Sequence, residues 1–442
     1  MQIEQNAEVA RLVDRIVATR KVDLEAWETA LRSAVLVAGA TLLSDLLRSI
    51  GSGRTDEPIR CECGTPMESR GTRSKELLTL LGPVNYSRSR FQCPTCRRTR
   101  YPGDEQLDIV RTRRSPGLRR MMARAGSKST FKEGRDDLKI YAGIAVSAKD
   151  VERVAETIGT DVERWARQER ETLLGETRPI PLRKTIPVLY VSYDGTGIPM
   201  TRTEVAGRKG KQADGSAKTR EAKLGCVFTQ TTTDEKGFAV RDPDSTTFVG
   251  QIEIAEDFGN RIYAEAVRRG LEQAHQVVIL GDGAEWIRGI AEMHFPGATQ
   301  IIDLYHAREH VSDLCKILFH PKENQVIHHR IRWWDDLDAG NIEQIVEEAR
   351  TVLPDDPNAR ESAETQLTYL EKNRTRMRYA DFRARHFFIG SGVVEAACKS
   401  VIGLRLKQSG MEWSVRGANA ILALRCAMLS GRLEDYWENR VA

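Results

Sequence analysis

Apolar residues recur along this chain with two periods, and the place where one gives way to the other predicts how it is organised. From about residue 5 to 50 the spacing is helical, with Val9, Leu12, Val13 and Ile16 in one segment and Leu31, Val35 and Leu36 in a second. Two helices are expected there. IGSGRTDEPIR is a linker by its Gly, Ser and Pro content, and LLTLLGPVNYSRSRFQ alternates as a hairpin does. Helical spacing returns from Ser115 to about Arg170, interrupted at Gly126, Gly134 and Gly143. Within it Phe131, Leu138 and Ile140 line one helix, Ala142-Gly143-Ile144 make a turn, Ser147 caps, and Val151, Val154 and Ile158 line the next. This is the pattern of a helix-turn-helix, with Lys149, Glu152 and Arg153 facing outward if the second helix enters a groove. An ordinary helical hairpin has the same pattern.

Past about residue 179 the runs become β-branched: VLYVSYDGTGIPM, AKLGCVFTQTTT and STTFVG. A helix over about 257 to 274 follows, then the run VVILGDGAEWI and another, ATQIIDLYH. Strands first and alternating units after predict a mixed sheet with helices packed on it. Residues 307–390 read as mostly helical.

At 442 residues the chain has room for two or three domains. Lys and Arg exceed Asp and Glu by only 67 to 63, which excludes a uniformly basic coat, but positive charge gathers in RSRFQCPTCRRTRYP and IVRTRRSPGLRRMMARAGSKSTFK. Such runs suit phosphate contacts, though solvated faces carry them too. No run of about 18 apolar residues stands out, and MQIEQNAEVARLVDRIV is amphipathic and unlike a signal peptide. The expected location is cytoplasmic, with no membrane partner.

Of 8 cysteines, Cys226, Cys315, Cys398 and Cys426 are scattered and read as reduced thiols. The other four stand as Cys61-x-Cys63-Gly and Cys93-Pro-x-Cys96 on either side of the hairpin pattern, the outline of a zinc ribbon. The first pair has one intervening residue where two are usual.

Three acids complete the inventory. Asp194 and Asp282 each end an apolar run at Asp-Gly, and Glu395 lies in GSGVVEAACKS. A strand that stops at Asp-Gly presents its carboxylate at the sheet's edge, and two Asp with one Glu suit a pair of hard cations at a phosphate. Asp-Gly is also a common turn, so each Asp alone reads as structural.

In series these motifs resemble a known family. The CECG and CPTC pairs with YPGDEQL, then DGTGIPM, TREAKLGCVFTQ, LGDGAEWI, IIDLYHAREHV and GSGVVEAACKSVIGLRLKQSGMEWS, resemble the transposases of ISKra4-type bacterial insertion sequences. That resemblance implies a multidomain α/β chain whose catalytic domain is RNase H-like, with Asp194, Asp282 and Glu395 as a metal-binding catalytic triad. It implies two Mg²⁺ (or Mn²⁺) per site and structural Zn²⁺ at Cys61, Cys63, Cys93 and Cys96. Asp303 and His306 are similar to a (Cys/Asp)-x-x-His signature and would neighbour the active site.

The organisation implied is an N-terminal helical region (1–52), the zinc ribbon (53–110) and the helix-turn-helix-like domain (111–178). A catalytic core (179–306 and 391–442) follows, interrupted by an all-helical insertion (307–390). Double-stranded DNA, both terminal inverted repeats and target, would be the partner, for a homodimer or larger assembly at the nucleoid. Arg208, Lys209, Lys211, Lys218 and Arg220, with Arg405, Lys407 and Arg416, would hold its backbone, beside Lys149 and Arg153 of the helix-turn-helix; Trp413 would stack on an unpaired base or lie in the core. An RNase H-like nuclease without strand transfer, and a non-catalytic DNA-binding protein derived from a transposase, remain alternatives.

Overall fold

Asp23 opens the first described helix, α1 (Leu24–Ser49), by accepting a hydrogen bond from the Ala26 amide. The structure is a computed structural model describing residues 10, 11, 14, 17, 18, 23–53, 57–175, 185–210 and 212–440. Val9, Leu12, Val13 and Ile16, and the expected boundary near 178, lie outside them. α1 buries Ala30, Ala34, Ala40 and Leu47, whereas Leu31 and Val35 are 47% and 68% exposed. The reason is close approach: small residues let the helix lie on a hairpin, with Gly39 against Leu81, and the bulky side chains turn outward. By length and composition alone α1 would be long and apolar enough to cross a membrane, because small neutral residues fill the gaps between its aliphatic ones.

The chain divides into two units, Met1–Ala155 with Glu438–Ala442, and Glu156–Trp437. In the first, β1 (Glu68–Thr79) and β2 (Gly82–Gln92) pair antiparallel with Leu77 opposite Val84, and β3 (Thr99–Arg100) extends the sheet. Leu77, Val84 and Tyr86 pack with Ala40, Leu47 and Ile109. The helices α2 (Pro102–Gln106), α3 (Pro116–Lys128), α4 (Phe131–Ala142) and α5 (Ala148–Leu174) follow, the division falling inside α5. Thr130 and Glu133 form a capping box at the start of α4, Gly143 closes it at φ 68°, and the Ser147 hydroxyl accepts from the Asp150 amide at 3.0 Å. Leu118, Met122, Leu138, Ile144 and Val151 cluster together. Leu138 is buried and Ile140 is 68% exposed on the same helix, since two residues turn a helix by about 200°.

The second unit holds a mixed five-stranded sheet in the order β10-β9-β4-β5-β8. The strands are β4 (Ile186–Pro199), β5 (Thr219–Gln230), β8 (Thr247–Gln251), β9 (Ala274–Gly281) and β10 (Thr299–Ile302), with a small hairpin of β6 (Thr232–Thr233) and β7 (Ala239–Val240) apart. β4, β5 and β8 are antiparallel neighbours, and β4, β9 and β10 are parallel. Both faces are covered, which is why the strands read as nearly unbroken apolar runs. Leu189, Val191 and Tyr193 point to α6 (Ala255–Arg269) and α7 (Glu285–His294). Val188 and Tyr190 point the other way, into a core shared with α8 (Leu304–Phe319), α9 (Glu323–Ala339), α10 (Ile342–Thr351), α11 (Pro357–Asn373) and α12 (Tyr379–Ala384). The chain then returns through α13 (Gly392–Ala397), α14 (Val415–Leu429) and α15 (Leu433–Asn439).

Arg261 of α6 is a buried cation held by Glu163 at 2.9 Å and Glu253 at 2.7 Å. Burial by itself lowers its pKa, but the two carboxylates outweigh this and raise it above the ordinary value. Removing the cation strands two acids, so Arg261→Ala is expected to cost this unit roughly 3–5 kcal/mol, read as a shift in denaturant midpoint. A loss below about 1 kcal/mol would place the network in water.

Candidate active site

Ser192 of β4 lies opposite Leu280 of β9 in parallel register, the last pair of that ladder. Two residues further along each chain stand Asp194 and Asp282, at equivalent places where the parallel strands part. Side chains alternate along a strand, so both carboxylates leave the sheet on the face of Tyr190 and Leu280, the side covered by α8 to α12. Asp282 follows its strand as expected. Asp194 does not end one: β4 continues to Pro199, paired with β5 as far as Thr219. What stops at Asp194 is the parallel neighbour, and that departure opens the crevice.

Glu395 reaches the same place on α13, which packs against β4 and β5. Its Oε1 accepts from the Ser391 hydroxyl at 3.1 Å, and the same hydroxyl lies 2.9 Å from Asp303 Oδ2, which also accepts the Ser391 amide. Asp303 is 2% exposed and caps α8 by accepting the His306 amide at 2.8 Å. It therefore fixes the loop that carries the glutamate. Burial raises the Asp194 pKa above the ordinary carboxylate value; the Gly195 amide, 2.6 Å away, offsets part of this, and the charges of Asp282 and Glu395 add to it. The Cys398 thiol lies 3.9 Å from Asp194 Oδ2, and burial pushes its pKa up to about 12.

Three acids thus share one neighbourhood, and none has a Lys or Arg partner among the described residues. Hard oxygen donors without a counter-charge fit a divalent cation. They stand apart, however: among the described residues only four cysteines bring three or more ligand atoms within 4.8 Å of one another.

The helices between the second and third acids also touch this site. The Tyr369 hydroxyl of α11 donates to the Asp282 carbonyl at 2.8 Å, and that of Tyr379 donates to the Ile302 carbonyl at 3.1 Å. Tyr369 stacks on His310 with centroids 3.6 Å apart, and His306 meets both rings edge-on. The His306 ring Nδ1 lies 3.6 Å from the Glu309 carboxylate. Sequence reasoning missed Ser391, Cys398 and Tyr369. Only Ser391 left a local signal, a hydroxyl one helical turn before Glu395.

The basic residues divide. Arg208, Lys209, Lys218 and Arg416 are exposed and Arg220 half-buried, while Lys211 lies outside the described residues. Lys407 donates to Thr196 Oγ1, two residues past Asp194. Lys149 is exposed and paired with Glu152, and Arg153 is exposed. Arg405 and Trp413 are a correction: they are 0% and 7% exposed, and the guanidinium lies 5.0 Å over the indole. Trp413 donates to the Leu406 carbonyl at 3.1 Å, and its own carbonyl accepts from Thr201, which draws the segment onto the end of β4. Neither side chain presents a face to DNA.

In the other unit, Cys61 Sγ and Cys96 Sγ are 3.4 Å apart, and Cys63 Sγ lies 3.6 Å from Cys93 Sγ and 3.8 Å from Cys96 Sγ. Four thiolates at ~2.3 Å around a tetrahedral Zn²⁺ would be about 3.8 Å apart, so the set fits zinc. The short first spacing works because Gly64, at φ 85°, donates to the Cys61 carbonyl and lets the turn close. Hydrogen bonds from Thr65 lower the Cys63 pKa to about 6.

The model of the uncharacterised protein family UPF0236 matches residues 67–440. A search of curated proteins finds no match. Among solved structures, the Drosophila P element transposase strand transfer complex is similar at 11% identity and a TM-score of 0.24, over 76% of this chain and 84% of that one. At that score the fold rests on the strand order described for the sheet and not on the likeness.

Proposed function

This chain belongs to the uncharacterised protein family UPF0236, and we propose that it is a DNA transposase of the DDE type, related to the ISKra4 insertion sequences its motifs resemble. The observation that carries the reading is the meeting of Asp194, Asp282 and Glu395, from three distant segments, on one side of a mixed sheet with no cationic partner among the described residues. The same sheet supports an RNase H-like core, with residues 307–390 as its helical insertion.

Held by the three acids, two divalent ions (Mg²⁺ or Mn²⁺) would supply activation of the attacking oxygen and neutralisation of the leaving one. The chain's own residues set the stage. Asp194 is fixed by its pairing with Leu224 of β5, Tyr369 fixes the backbone of Asp282, and Ser391 and Asp303 orient Glu395. Water and then a DNA 3′ hydroxyl would attack phosphorus in turn, which needs no protein nucleophile. Arg208, Lys209, Lys218, Arg220, Lys407 and Arg416 line up as backbone contacts. The Cys61–Cys63–Cys93–Cys96 centre would be a zinc ribbon, and α4 with α5 a helix-turn-helix, both for terminal repeats. Two ends must be held at once, so a homodimer or larger assembly at the nucleoid is proposed.

The test uses labelled duplexes taken from the DNA that flanks the protein's own coding sequence. Joining of cut ends to a target plasmid is the expected result. Cutting without joining would make the chain a nuclease, and binding without cutting a regulator.

A further inference from the structure

The N-terminal unit contains an arginine-lined groove that the acidic site does not use and that Cys61 borders at one side. A cavity of about 1060 Å³ runs along β2 beside the cysteine turns, lined among others by Arg88, Arg98, Arg100 and Arg111. A second, of about 300 Å³, shares Arg88 and Arg111 with it and adds Arg113. Arg98 and Arg100 are paired with Glu62 and Glu105. Arg73, Arg111 and Arg113 have no acidic partner among the described residues.

Three features mark this as more than a solvated basic face. Arg73 and Arg88 sit directly opposite each other across β1 and β2, a like-charge pair that a ladder tolerates poorly without an anion. On the floor, Lys75 at 2.9 Å and Arg88 both bind Asp104 Oδ2, so two cations share one buried carboxylate and positive charge is left over. Arg88 is further fixed by stacking over Tyr101 at 3.8 Å. Arg111, finally, is held at φ 55°, a left-handed conformation costly for any residue but glycine. The strain holds Arg111 in a groove whose acids Glu62, Asp104 and Glu105 are already engaged by Arg98, Arg88 and Arg100.

We propose that this groove holds the sugar-phosphate backbone of duplex DNA, with Arg111 and Arg113 as the phosphate contacts. It is far larger than one phosphate needs, and Arg111 borders both of its cavities, so positive charge continues from one to the next as a polyanion requires. The assignment rests on the DNA-transposase reading and names where that substrate is gripped away from the acids.

Substituting Arg111→Gly removes the guanidinium and relieves the left-handed strain, so loss of binding in this variant is not loss of fold. Fluorescence anisotropy with a labelled duplex, titrated between 50 and 200 mM salt, compares the wild type with Arg111→Gly combined with Arg113→Ala. The expected result is roughly tenfold weaker binding, a log–log salt slope shallower by about 2, and an unchanged or higher melting temperature. Wild-type binding with an unchanged slope in the double variant overturns the groove and leaves the transposase reading standing. A wild type that binds no duplex overturns both. Tighter binding of single-stranded RNA through the same residues overturns the duplex as occupant.

Discussion

Replacing Asp194 by asparagine is expected to reduce DNA cleavage by roughly 10³-fold or more, about 4 kcal/mol of barrier, while raising the melting temperature of the metal-free protein. The two effects share a cause. Burial, together with the charges of Asp282 and Glu395, raises the Asp194 pKa above its ordinary value of 3.8. Between that value and the raised one, the folded protein keeps a proton that the unfolded chain has lost. Stability therefore falls as pH climbs through this window, and the cost is fully present above the raised value. Asparagine keeps the shape and removes the charge, so the variant should melt a few degrees higher and lose part of the decline. Mn²⁺ should stabilise the wild type and leave the variant unmoved. A variant that cleaves normally takes Asp194 out of the site. One that loses cleavage and also melts lower has misfolded, which a simple ligand loss does not predict.

The second large effect concerns the cysteines. Protein purified without chelators should carry one zinc per chain by mass spectrometry, and Cys93→Ser, at a position with no exposed surface, should carry none. Structural zinc contributes ~10–16 kcal/mol at neutral pH, comparable with the whole stability of about 5–15 kcal/mol of an ordinary domain. The turns at Cys61 and Cys93 and the ends of β1 and β2 should then lose protection from hydrogen exchange, while residues 186–302 keep theirs. A metal-free wild type with protected amides in both turns would leave four thiols packed without an ion.

Element types were readable because they depend on neighbours in sequence. The run before Asp194, the Gly143 turn and the hairpin ahead of Phe91 each announced themselves by period and punctuation. Faces and ends were not. Leu31 and Val35 belong to an apolar stripe, but the side chosen for burial depends on how closely the hairpin can approach Ala30 and Ala34. Asp194 looked terminal because Gly195 and Gly197 follow, yet those glycines lie opposite Lys223 and Glu221 inside a ladder; a Cβ on Gly195 would come within 2.4 Å of Glu221. Arg405 read as a surface group because arginine suits nucleic acid, and Trp413 stayed open between a base and the core; only the strand they cover shows both buried. The supports of the acids were the least visible. Ser391 meets Asp303 across 88 residues, and Tyr369 meets Asp282 across 87, so no local pattern could connect them.

Those separations also order events on the ribosome. The strands bearing Asp194 and Asp282 emerge early, whereas Ser391 and Glu395 follow the whole run of helices from Leu304 to Ala384. Contacts this distant in sequence form last. On the proposed function, a nascent or prematurely terminated chain displays two aspartates and the N-terminal unit proposed to hold DNA before the third acid exists. Such a chain would hold DNA without cutting it, and breakage would wait on a finished protein.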